Sequence, residues 1–175
     1  EATIRFGEES GAAIIHGTDQ INTVRVSQDP QSSWQTYKKG LTENGFKEET
    51  VNEIERATLS ILRKLSLDTT STGPIKGLVI GNVQSGKTAN MAALMAMAAD
   101  CGWNMFIILS GTIENLRVQT ENRLYDDLHR DGTRIIWETL NKPSSRSPLI
   151  EKASRKSFSD SFHRYFTVCL KNKTR

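Results

Sequence analysis

At 175 residues the chain has the length of one ordinary domain with room for a small appendage, which excludes a large multidomain machine within these limits. Charged residues make up 25% and the apolar set 37%, the balance of a folded, water-soluble chain rather than a disordered one. The formal net charge of +3 hides an asymmetry, because Lys142 onward holds nine Lys and Arg against Glu151 and Asp160, a local +7, while the residues before it sum to −4. A cationic end of this kind either meets a polyanion or is a solvated face.

The longest apolar run, Met91 to Ala99, is about half of the roughly 20 residues that a membrane span needs, so no membrane partner is expected. Cys101 and Cys169 lie far apart without a C-x-x-C partner, and His16, His129 and His163 share no ligand spacing. Neither a disulfide framework nor a zinc site is expected, and the reducing interior of the cytoplasm fits best.

In chain order, the first thirty residues carry scattered apolar positions that allow at most short strands. Asp29 and Pro30 read as a cap and a first-turn proline, followed by an amphipathic helix with Trp34, Tyr37 and Leu41 on one face and an end near Gly40 to Gly45. A second helix is predicted from Thr50, whose spacing to Glu53 matches a capping box, with Val51, Ile54, Thr58, Ile61 and Leu65 along its buried face. The breaker-rich stretch 68–74 marks a boundary between a mainly helical region, 1–73, and a second region, 74–175.

From Ile75 the pattern alternates. Strands are predicted at 77–80, 104–109, 134–137 and 165–170, with helices at 86–100, 113–129 and about 149–163. Such alternation predicts an α/β fold with a parallel sheet, flanked by helices and joined by right-handed crossovers.

Gly81-Asn82-Val83-Gln84-Ser85-Gly86-Lys87-Thr88 satisfies G-x-x-x-x-G-K-[ST] between a predicted strand and a predicted helix. At ordinary glycine usage a chance match in a chain of this length is on the order of one in a hundred. The amides of residues 82 to 88, aided by the positive end of the helix, suit a polyphosphate, and Gly81 and Gly86 allow the tight bend. Lys87 places a cation on the outer phosphates and is the catalytic candidate. Thr88 offers a hydroxyl to magnesium. The expected cofactors are therefore ATP and Mg2+. Asn141-Lys142-Pro143-Ser144 lacks the aspartate of an N-K-x-D guanine reader, which disfavours GTP. The apolar helix with Met91, Met95 and Met97 reads as core filling rather than a metal site. The one acid at a strand end is Glu138.

The segment Lys76 to Met91, with V-Q-S-G-K-T-A-N-M at its centre, together with Ala98-Ala99-Asp100, Leu109-Ser110-Gly111-Thr112, Asn115-Leu116-Arg117 and Gln119-Thr120, resembles the Z-one domain family of prokaryotic proteins. The resemblance extends over roughly residues 22 to 128. It implies a RecA-like P-loop NTPase lobe similar to superfamily-two helicases, in an ATPase of helicase or endonuclease type that serves bacterial anti-phage or restriction-like systems. DNA and defence-system proteins would then be its partners. The resemblance also implies that Thr112, Arg117 and Gln119 face nucleic acid, and that acidic magnesium-binding residues follow a later strand. This chain ends before them, so weak nucleotide binding and negligible turnover are expected of it alone.

The residues themselves leave alternatives open. Thr112 can cap the next helix instead, with Ile113, Leu116, Thr120 and Leu124 inward and Arg117, Asn122 and Arg123 outward. A phosphate loop serves a small-molecule kinase or a non-hydrolysing ATP-binding regulatory module equally well.

Overall fold

The computed structural model describes residues 12–14, 24–65, 76, 79–81, 86–140 and 162–171. Its elements are β1 (Ala12–Ile14), α1 (Ser33–Glu43), α2 (Glu48–Leu62), β2 (Val79–Gly81), α3 (Lys87–Asp100), β3 (Met105–Ser110), α4 (Glu114–Leu128), β4 (Ile136–Thr139) and β5 (His163–Leu170).

Among the described residues β5 is the most buried strand, its stretch 164–168 mixing Tyr165, Phe166 and Val168 with Arg164 and Thr167. A strand covered on both faces is buried residue after residue, as 164–168 of β5 are. β5 is accordingly central, with β3 parallel to it on one side and β4 parallel on the other, in the order β3-β5-β4. Register places Phe106, Ile108, Phe166, Val168 and Trp137 on one face, where they join a core with the four helices. Trp137 packs between Phe106 and Phe166, with ring centroids 5.5 and 6.3 Å away.

The fold is therefore α/β, a small three-stranded parallel sheet flanked by helices. One expectation is corrected. The strand before the phosphate loop was expected in the parallel sheet, but β2 pairs antiparallel with β1, in the register Ala12 to Gly81 and Ile14 to Val79. β3 pairs with β5, and the pairing of β2 among the described residues is with β1.

α3 carries Ala89, Ala92, Ala93, Ala96, Ala98 and Ala99, all buried, and these small side chains let α1 and α2 approach its backbone closely. The two N-terminal helices thus share one core with the α/β part. Polar contacts fix them in place. The Asp100 carboxylate at the end of α3 accepts from the backbone N–H of Ser33 at 2.8 Å and of Trp34 at 2.9 Å, satisfying two of the unpaired donors at the start of α1. Trp137 Nε1 donates to Ser33 Oγ at 3.1 Å, and Trp34 Nε1 donates to Glu55 Oε2 at 3.1 Å. Arg164 donates through Nε and Nη2 to the Ala99 carbonyl, placing a cation at the negative end of α3.

Both predicted caps move. Ser32, not Asp29, caps α1 by accepting from Gln35 N–H, while Asp29 closes the preceding turn through Gln31 N–H at 3.0 Å. α2 starts at Glu48 without a side-chain cap, so the Thr50–Glu53 capping box does not form. Glu48 and Glu49 in its first turn complement the helix dipole instead. Its buried face is Val51, Ile54, Thr58 and Leu62, with Ile61 only partly covered. The predicted helix at about 149–163 lies outside the described residues up to 161, and His163 opens β5 instead of closing that helix.

Burial pushes the Asp100 carboxyl above its ordinary range, against the lowering effect of the Trp34 and Ser33 amides and of Arg164. The folded chain therefore holds this proton more tightly than the unfolded one, so the Asp100 contribution to stability grows as pH falls from the raised value towards the ordinary carboxylate range. Urea midpoints measured across that window should show a smaller slope in Asp100→Asn than in the wild type, the remainder coming from Asp127, which burial also raises. An unchanged slope in the variant would assign it to another group.

Candidate phosphate-binding site

The site is built on the junction between β2 and α3. Gly81 is the last residue of β2, and Gly86 immediately precedes α3. Asn82, Val83, Gln84 and Ser85 lie outside the described residues. Gly86 has φ 67° and ψ 29°, the left-handed region. Among the described residues a Cβ there would meet Ala89 Cβ alone, at 4.0 Å, and the left-handed dihedral itself favours glycine by about 1–2 kcal/mol over another residue.

α3 begins at Lys87, and its N-cap residue Gly86 has no side chain to offer the first amides. Its first intrahelical hydrogen bond runs from Asn90 N–H to the Gly86 carbonyl at 3.0 Å, and Asn90 Nδ2 donates to the same oxygen at 3.2 Å. A helix start of this kind directs N–H groups and partial positive charge outward. Thr88 is half-buried on the first turn. Among the described residues no three or more His, Cys, Asp or Glu gather as a metal site.

Tyr37 is a contributor that the periodicity of α1 marks only as core. Its hydroxyl donates to the Ala89 carbonyl at 3.2 Å and so anchors the first turn of α3 to α1. Burial, with a smaller push from Asp127, raises the phenol well above its ordinary range, keeping it neutral as a donor. The contact joins residues 52 positions apart, and helical spacing within α1 carries no sign of it.

Ser110-Gly111-Thr112 stands at the carboxyl end of β3, the end where open α/β sheets bind ligands. Lys171 N–H donates to the Ser110 carbonyl at 3.1 Å and to the Gly111 carbonyl at 3.3 Å, and Ser110 Oγ donates to the Cys169 carbonyl at 3.2 Å, tying this turn to the end of β5. Among the described residues the strand hydrogen-bonded to β3 is β5 and not the phosphate-loop strand. Gly111 and Thr112 are exposed. Thr112 does not cap α4, whose cap is Ile113 with no side-chain hydrogen bond.

The inward face of α4 differs from the predicted one. Arg117, Leu124 and Leu128 are buried, whereas Ile113 is 57% and Leu116 49% exposed. Arg117 is drawn inward because its guanidinium is neutralised on both sides: it donates to Glu114 Oε1 at 3.0 Å, to Glu121 Oε2, and to the Val168 carbonyl at 3.2 Å. The acids at i−3 and i+4 from Arg117 were the sequence signal for this pairing. Gln119 stays exposed on the same helix, as do Asn122 and Arg123. Glu138 lies on β4 with its Oε1 3.5 Å from His163 Nε2.

Among the described residues, no helix is long and apolar enough to cross a membrane. Comparison with protein-family models, curated proteins and solved structures finds no match to the chain.

Proposed function

We propose that the chain is the ATP-binding part of a nucleic-acid-directed ATPase, of the helicase- or nuclease-associated type that the resemblance to the Z-one domain family implies, working in a bacterial anti-phage or restriction-like system. The observation that carries the nucleotide is the G-x-x-x-x-G-K-T sequence between β2 and α3, with Gly86 in the left-handed region immediately before the helix. In this reading the amides of residues 82 to 88 hold the β-phosphate, Lys87 neutralises the outer phosphates, and Thr88 with water and phosphate oxygens holds magnesium. Magnesium supplies charge neutralisation on the polyphosphate when bound.

Support for the nucleic acid is the family resemblance, together with exposed Thr112 at the carboxyl end of β3 and exposed Gln119 on α4. Arg117 contributes from within, by holding α4 to the Val168 carbonyl of β5. The P-loop NTPase fold, of the RecA-like kind, belongs to the same proposal.

Calorimetric titration of the chain with magnesium and ATP, ADP, AMP or adenosine tests the nucleotide assignment. Binding that requires at least a diphosphate is expected, since the anion supplies the attraction. Equal affinity for adenosine and ATP would contradict it.

A further inference from the structure

We draw no further inference here: the strongest candidate, the edge of β3 that pairs with no strand among the described residues and bears the exposed apolar side chains of Ile107 and Leu109, carries none because nothing in the structure shows what covers it.

Discussion

Lys87→Ala is expected to weaken binding of magnesium-ATP roughly ten- to hundredfold while leaving the fold intact. Hydrogen bonds to charged groups contribute about 1.5–3 kcal/mol, and each 1.4 kcal/mol is about tenfold in Kd. Lys87 is the first residue of α3, where alanine is an excellent helix former, so the substitution removes the ammonium without a helix penalty. Thermal melts of the two proteins should coincide, and calorimetry should separate them. Wild-type affinity in the variant would detach the site from the phosphate loop. Lys87→Arg, which keeps the charge but changes its shape, should fall between the two.

Trp137→Ala is expected to cost about 3–5 kcal/mol of unfolding free energy, a large part of a total that is typically about 5–15 kcal/mol. Three losses combine at this position. The indole is 2% exposed, so its removal leaves a cavity at the centre of the core. Its ring contacts with Phe106 and Phe166, which join β4 to β3 and β5, are lost. Its Nε1 hydrogen bond to Ser33 Oγ, which joins the sheet to α1, is lost as well. Trp137→Phe keeps most of the apolar volume and forfeits mainly that hydrogen bond, so about 1 kcal/mol is expected from it. Urea unfolding of both variants measures the difference. Equal costs for Ala and Phe would mean that the hydrogen bond, not the packing, holds this junction.

The elements most legible in the sequence are those with strong period or composition. The 3.6-residue spacing of Trp34, Tyr37 and Leu41 locates α1, and all three are buried. The apolar runs at 104–109 and 165–170 locate β3 and β5 to within a few residues. What the sequence conceals is partnership. Nothing in Val79-Ile80-Gly81 states that its neighbour is Ala12–Ile14, because strand periodicity specifies faces and not partners.

Misread details have local physical causes. On α4 apolar spacing points to Ile113 and Leu116, but Arg117, paired with Glu114 and Glu121 and bonded to the Val168 carbonyl, takes the inward position. For α1 the local cap is Ser32 rather than Asp29, with Asp100 as a further acceptor, and α2 starts without a side-chain cap. Asp100, from another helix, and the acidic first turn of α2 stabilise those termini, and neither signal lies where a local capping pattern is sought. The candidate site is marked in the sequence by contiguous residues, of which 82–85 lie outside the described ones, and Gly86 takes the left-handed conformation that glycine permits. The Tyr37 anchor beneath it depended on a contact between distant segments.

A crystal structure of the chain with magnesium and a non-hydrolysable ATP analogue tests the central claim most directly. The β-phosphate should accept hydrogen bonds from backbone amides between residues 82 and 88, with the Lys87 ammonium on the outer phosphates and the Thr88 hydroxyl on the metal ion. An analogue bound elsewhere, or a bend filled by the chain's own side chains, would contradict it.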